Sequence, residues 1–384
     1  MSTHKSLLHF CSYSWETGGP SSFILNHSKF QVSKGMQIEV ASPMFPEQNR
    51  YELATGMRVH EFPKGFLARI LPDFSMVMAT WFWKNRNAYD YIHIHGLWHF
   101  GTILPFLIPN RAKKIVTIHG FLDPFMMQKS KWIKKIFWLL FQKRCLARAD
   151  ILHAMNDEEY ATLLQLFPHK KEQIFFIGNG IEDPLEQNFG DPNPEFVQSI
   201  EQFIGQSEQV FLFLSRISFK KGLDILLAAF QEFSQKLPGQ FKLIIAGPED
   251  DFSPQLNEYC SNYPNKDRFV SGMVQGAEKD YLFKRCNTFV LPSYSEGFSI
   301  AALEAIAYGK SCIFSSRIGF AQSVKAYQAG IVIDPDFQEL INILENFTNS
   351  KNSLISNAKN SRKLFLENFT SQEICLKLYQ ILKV

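Results

Sequence analysis

Short apolar runs, bounded by turn residues and separated by stretches long enough for a helix, recur along the whole chain, and this alternation leaves few folds open. The runs at 7–10, 37–41, 91–95, 115–119, 151–154 and 175–177 carry little of the polar alternation that a half-exposed strand would show. They predict parallel strands buried on both faces with helices between several of them, a doubly wound α/β sheet. After Asn179-Gly180 the segment 182–194 is rich in Pro, Asp, Asn and Gly and reads as a linker. The alternation then restarts at 210–214, 241–246, 268–270, 288–291 and 311–314.

A chain of 384 residues exceeds the usual size of one domain, so the restart marks a second doubly wound domain. The expected division is an N-terminal domain at 1–184, a linker and domain start at 185–208, a C-terminal domain at 209–365 and a terminal helix at 366–384 that packs back on the first domain. In open parallel sheets ligands bind beyond the carboxyl ends of the strands, so two such sheets facing each other would form a cleft. The 37 phenylalanines are read as core filling.

Six cysteines at 11, 145, 260, 286, 312 and 375 show no C-x-x-C spacing, which points away from a zinc site or a disulfide framework and toward a reducing compartment. The apolar stretch near the start is too short for a signal peptide, and no stretch reaches the ~20 residues needed to span a bilayer. A cytoplasmic protein is expected. The net charge is only +3, yet the first half is basic and the second acidic, so the N-terminal half suits an anionic partner.

Chemistry concentrates after the strands of the second domain. In LPSYSEGFSIAALEAIAYG, residues 291–309, a strand ends, a polar turn follows and an Ala-rich helix begins near Ser299. Gly297 allows close backbone approach, and N–H groups at Phe298, Ser299 and Ile300 at the helix start suit a phosphate. Glu296 and Glu304 flank that anion site. The bland reading is a strand, a turn and a solvated helix residue; another is the acid and nucleophile of a glycosidase, which needs carboxyls roughly 5–10 Å apart. The loop in LSRISFKKGLDILLAAF, residues 214–230, adds Arg216 and Lys221 with Gly222 before a helix, a second phosphate cradle or a solvated basic loop.

In the first domain Gly18 and Gly19 follow the first strand without a G-x-G-x-x-G pattern, so a dinucleotide cofactor is not indicated. Two strands end in His-Gly, at His95 and His119. Each histidine is either a satisfied structural residue or a partner for a sugar hydroxyl, and no carboxylate or further His stands at metal-ligand spacing. Residues 129–148 hold seven basic side chains and no acidic one, interleaved with Trp132, Ile136, Phe137, Trp138, Leu140 and Phe141. That pattern reads equally as a helix lying on an anionic membrane and as a core-facing helix with lysines in water. No nucleic-acid-binding motif accompanies it.

Taken together these motifs resemble the "group 1" family of retaining glycosyltransferases, which have a two-domain GT-B fold. The resemblance is strongest over 210–335, through LSRISFKKGLDILLAAF, LIIAGPEDD, VSGMVQGAEKDYLF, LPSYSEGFSIAALEAIAYG and AGIVID in the family's order; GGP, HIHGLW, VTIHG and IGNGI also stand at family-like places. It implies that Arg216 and Lys221 bind the donor diphosphate with backbone N–H groups of Gly297 to Ile300, that Glu304 holds the ribose and Glu296 the transferred sugar, and that His119 lies near the reacting sugar. Gly18 and Gly19 would belong to a closing loop, with His95 on the acceptor side. It further implies a UDP- or GDP-sugar donor, a glycan or lipid-linked acceptor, no metal or other cofactor, retention of configuration, and a role in bacterial polysaccharide synthesis, at the inner face of the membrane if the basic helix docks there. An epimerase and a non-catalytic nucleotide-sugar- or membrane-binding protein of the same fold are the alternatives. Ser215, Phe219 and Ser299 depart from the residues common in the family at those places.

Overall fold

The computed structural model describes all residues except 1–4, 15–18, 49–55, 123–130, 237, 264–266, 348–350 and 383–384. The chain forms two compact units, Met1–Gly180 with Ser371–Val384, and Ile181–Thr370.

In the first unit the strands β1 (Ser6–Phe10), β2 (Gln37–Met44), β3 (Met57–Pro63), β4 (Tyr91–His95), β5 (Lys113–Thr117), β6 (Ile151–Ala154) and β7 (Ile174–Phe176) form one parallel sheet in the order β3-β2-β1-β4-β5-β6-β7. In the second unit β8 (Gln209–Leu214), β9 (Phe241–Ala246), β10 (Arg268–Gly272), β11 (Thr288–Leu291), β12 (Ser311–Ser315) and β13 (Ile331–Ile333) are ordered β10-β9-β8-β11-β12-β13, again all parallel. Both doubly wound sheets expected from the sequence are therefore present. The strand order reverses between β1 and β4 and between β8 and β11, the places where such sheets open a crevice.

Two strands escape the sequence pattern for physical reasons. β3 sits at the sheet edge and buries only Met57 and Phe62 among Arg58, His60 and Glu61. β13 is three residues long, too short for any periodicity to register. A third difference concerns His119. The apolar run predicts a strand through 119, but β5 ends at Thr117, and His119 takes φ 57° in a turn completed by Gly120 at φ 80°.

Side chains of the first sheet divide by the period of two. Leu8, Phe10, Ile92, Ile94, Val116 and Leu152 join one core, and Leu7, Cys11, Tyr91 and Ile115 join the core on the opposite face. The same alternation sends His9, His93, His95, Thr117 and His153 to the second face. The helix Gly19–Ser33 covers it, with Phe23 placing its ring 5.6–5.9 Å from the rings of His93, His95, His119 and His153. The C-terminal helix Ser371–Leu382 packs on that covering helix, Tyr379 stacking on Phe30 at 6.3 Å.

Residues 131–148 are helical but not one regular helix. Lys131–Phe137 and Lys143–Arg148 flank a π-wound turn, Trp138–Gln142. The extra residue per turn turns Phe137 and Trp138 toward Trp98 and the core, while Trp132 and Ile136 stay 75% and 58% exposed. Among the described residues no helix is long and apolar enough to cross a membrane.

Candidate active site

In the second unit the loops after β8, β9, β11 and β12 pack as one body. After β8 the chain makes a short 3₁₀ turn, Phe219–Lys221, and reverses at Gly222 with φ 69°. A Cβ there would stand 2.1 Å from the Pro292 carbonyl oxygen, so only glycine lets the two loops touch. Tyr294 N–H donates to the Lys220 carbonyl at 2.8 Å, and Phe219 stacks on the Tyr294 ring at 5.4 Å. Phe219 thus cements the two loops in its own way. The loop after β9 is equally close: a Cβ on Gly247 would meet the Ser215 carbonyl oxygen at 1.8 Å, and Asp251 accepts the Phe219 N–H at 2.8 Å.

This packing brings together the charged residues singled out in the sequence. Lys221 Nζ lies 2.5 Å from Glu296 Oε1, both side chains almost fully buried, and Ser293 Oγ donates to the same oxygen at 3.1 Å. Arg216, more exposed, holds Asp250 at 2.9 Å. The helix Ile300–Ala307 carries Glu304, whose Oε1 is 2.5 Å from Lys279 Nζ on the helix Gly276–Arg285. Glu296 precedes the helix rather than lying on it, so the two carboxylates belong to different elements.

Ser299 caps that helix, its hydroxyl accepting the Ala302 N–H at 3.4 Å, and its φ of 67° is a left-handed conformation that favours glycine. That is the physical reason a glycine is at home at this position. Phe298 is buried against Phe320 and Phe369. Gly297 has interactions of its own, and its carbonyl would stand 2.5 Å from a Cβ on Gly319. The backbone donors left at the helix start are those of Phe298, Ser299 and Ile300.

In the first unit Gly18 lies outside the described residues, and Gly19 opens the helix with open space where a side chain would go. His95 is not at the surface. It is buried, with Nε2 2.8 Å from His9 Nδ1 and Nδ1 3.0 Å from His119 Nε2, so it stands behind His119 and has no ring nitrogen left for an acceptor. His119 keeps some solvent contact. Its strained turn is fastened by Glu159, whose carboxylate accepts the Gly120 and Met155 N–H groups.

Next to that row runs a second one. His93 Nε2 is 2.6 Å from Thr117 Oγ1, Thr117 Oγ1 is 2.8 Å from His153 Nδ1, and His153 Nε2 is 2.7 Å from the Ile177 carbonyl. Burial above all, and then the neighbouring histidines, pulls His9 and His119 down to about 3 and leaves His93 and His95 well below the ordinary value of 6.5. His27 and His153 fall to about 4, again chiefly through burial. The rings are therefore neutral at physiological pH.

Sequence reasoning missed Lys279, Asp250, Glu159 and the histidines at 9, 93 and 153. The HIH spacing of 93 and 95 was a readable sign, since residues two apart share one face of a strand.

Comparison with known proteins decides the family. Residues 17–183 match the model described as Glycosyltransferase Family 4, and residues 197–361 match that of Glycosyl transferases group 1. The chain is a group 1 glycosyltransferase. A mannosylfructose-phosphate synthase of Agrobacterium fabrum is 22% identical over 85% of this chain and 78% of its own length. An Escherichia coli UDP-Gal:alpha-D-GlcNAc-diphosphoundecaprenol alpha-1,3-galactosyltransferase is 27% identical over 76% and 75%. An uncharacterized glycosyltransferase of Methanocaldococcus jannaschii is 28% identical over 48% of this chain, which spans only 50% of that protein. Among solved structures, Anabaena HepE in complex with UDP-glucose superposes on this glycosyltransferase with a TM-score of 0.74, covering 99% of this chain and 100% of that one at 19% identity. The GT-B fold follows from likenesses of this kind together with the two parallel sheets.

Proposed function

We propose that this glycosyltransferase moves a hexosyl group, with retention, from a UDP- or GDP-sugar to a lipid-linked glycan acceptor in the assembly of a bacterial surface polysaccharide. The observation that carries this reading is the buried Lys221–Glu296 pair at the switch point of the second sheet, beside Arg216 and the helix start at Ile300. Arg216, Lys221 and the N–H groups of Phe298 to Ile300 receive the diphosphate, and as it departs they stabilise the negative charge that grows on it. This positive charge comes from side chains and a helix end and calls for no metal.

Both contacts of Glu296 use Oε1, which leaves Oε2 for hydroxyls of the transferred sugar. Lys279 fixes the rotamer of Glu304 in the same way and leaves Oε2 for the ribose diol. His119 serves the reacting sugar, as the resemblance implies, and Gly18 and Gly19 the closing loop. Acceptors linked to a polyprenyl diphosphate in relatives such as the Escherichia coli galactosyltransferase support the lipid-linked substrate.

Screening nucleotide-sugars for thermal stabilisation tests the donor assignment. A ligand at 100 times its Kd adds about 2.7 kcal/mol to stability. One uridine or guanosine diphosphate sugar is expected to raise the unfolding temperature and to lose that effect in Glu304→Ala. A panel without any stabilising nucleotide-sugar would count against the reading.

The membrane assignment rests on the surface of residues 131–148. Trp132, Ile136, Leu139 and Leu140 are all more than half exposed on a segment whose other outward residues include Lys135, Lys143 and Arg144. Each basic residue near an anionic surface contributes about 1 kcal/mol. Co-sedimentation with vesicles containing phosphatidylglycerol, and not with neutral ones, is expected to disappear when Lys131, Lys134 and Lys135 become Glu. Equal sedimentation of that variant and the parent would sink the assignment.

A further inference from the structure

The row His9–His95–His119 has a proton count that restricts what His119 can do. All three rings are neutral, so each of the two nitrogen–nitrogen bonds contains one proton and one lone pair. Only two registers satisfy both bonds. In the first, His9 Nδ1–H donates to His95 Nε2, His95 Nδ1–H donates to His119 Nε2, and His119 bears its proton on Nδ1. In the second every proton is reversed, His119 Nδ1 is a lone pair, and His9 holds its proton on Nε2.

His9 Nε2 separates the two. It is completely buried and has no hydrogen-bond partner among the described residues. In the second register it would be a buried N–H with no acceptor, whereas in the first it is only an unused lone pair. Orphaned buried N–H groups are the rarer and costlier of these two faults. The first register is the ground state.

The neighbouring row does not disturb it, because its own protons are fixed from the far end. The Ile177 carbonyl can only accept, so His153 donates through Nε2 and accepts at Nδ1 from the Thr117 hydroxyl, which in turn accepts from His93 Nε2–H.

We propose that His9 and His95 are positioning residues that lock His119 as a neutral hydrogen-bond donor through Nδ1–H. The lock makes His119 a fixed dipole for a sugar or leaving-group oxygen and denies it the part of a general base. It rests, for its bearing on transfer, on the reading that His119 serves the reacting sugar.

The same rings do not make a metal site as they stand. The ligand atoms of His9, His93 and His95 lie within 4.8 Å of one another, but His9 Nδ1 and His95 Nε2 already share a hydrogen bond at 2.8 Å and His93 Nε2 is bonded to Thr117 Oγ1 at 2.6 Å. A zinc ion would have to take these nitrogens as convergent lone pairs at about 2.0–2.1 Å, which would break both bonds.

Long-range proton–nitrogen correlation spectra of ¹⁵N-labelled protein read the tautomer directly. His119 is expected as the Nδ1–H form in the parent. In His95→Leu it reverts to the Nε2–H form that free imidazole prefers, while His95→Gln, whose carboxamide still donates to His119 Nε2, keeps Nδ1–H. Turnover is expected to fall about tenfold in His95→Leu with KM for the donor unchanged, and to recover in His95→Gln, in keeping with one lost hydrogen bond. An Nε2–H tautomer in the parent would overturn the lock even if no variant folds; so would an unchanged tautomer in a folded His95→Leu. Wild-type transfer by His119→Ala with the parent's tautomer as expected would instead remove the sugar-binding reading of His119 and leave the lock standing.

Discussion

Lys221→Met will lower kcat/KM for sugar transfer by two to three orders of magnitude. Losing one preorganised donor to a developing negative charge costs on the order of 10²–10³ in rate, and Lys221 is the most buried cation of the proposed diphosphate site. The same change leaves the Glu296 carboxylate buried with, among the described residues, the Ser293 hydroxyl beside it, and breaking a buried ion pair from one side costs about 3–5 kcal/mol. Stability and activity must therefore be read together. The double variant Lys221→Met, Glu296→Gln removes both charges, so it is expected to regain most of the lost stability and none of the lost turnover. Stability and turnover returning together would mean that Lys221 matters only as a structural partner. Urea unfolding alongside initial rates separates the two outcomes.

Acid is expected to unfold the first unit before the second. His9, His27, His93, His95 and His153 are at most 3% exposed, and burial lowers the pKa of each below 6.5 in the folded chain. A group whose folded pKa is depressed binds more protons unfolded than folded, so its contribution is fully present above pH 6.5 and fades as the pH falls toward the folded value. Within that window each group removes up to about 1.4 kcal/mol per pH unit, and five together up to about 7 kcal/mol per unit. Domains of this kind hold only about 5–15 kcal/mol in all. The transition should lie between pH 6.5 and about 4.

The sequence supplies its own probe. All ten histidines and all six tryptophans precede residue 181, so tryptophan emission reports the unit that contains the titrating groups. Among the described carboxylates of the second unit Glu201 is lowered, by hydrogen bonds from Arg285 and then Tyr281, and it responds only at more acid pH. Tryptophan emission that stays native below pH 4 would contradict the neutral, buried state of the histidine rows.

The fold was legible where strands are buried on both faces, because burial forces unbroken apolar runs such as VFLFL in β8 and TFVL in β11. It was illegible at the edge, where β3 buries only Met57 and Phe62, on opposite faces, and at the π turn, whose extra residue leaves no mark on composition. Among the candidate site residues, Glu296, Glu304, Arg216 and Lys221 could be picked out because each follows a strand of the same sheet.

Their partners could not. Lys279 reaches Glu304 from a separate helix, and His9 meets His95 across 86 residues of chain, so both contacts exist only once strand order and register are known. The sequence pattern puts Gly222 in a phosphate cradle and leaves Gly247 unremarked, and the structure makes them the points where three loops touch. His119 was assigned to a strand because IVTIH is apolar enough to continue one. The Glu159 clamp on the next peptide, 39 residues further along the chain, accompanies the early end of the strand.

Transfer of a nucleotide-linked sugar through the cationic site of the second unit is open to one direct measurement. Incubation of the enzyme with radiolabelled UDP- and GDP-hexoses and a polyprenyl-diphosphate-linked sugar tests it directly. Label is predicted to enter the organic-extractable lipid with one of these donors, in the anomeric configuration of the donor, and to stay in the aqueous phase with Lys221→Met. Transfer by Lys221→Met at the parent's rate, or no transfer from any nucleotide-sugar to any acceptor by the folded parent, would contradict it.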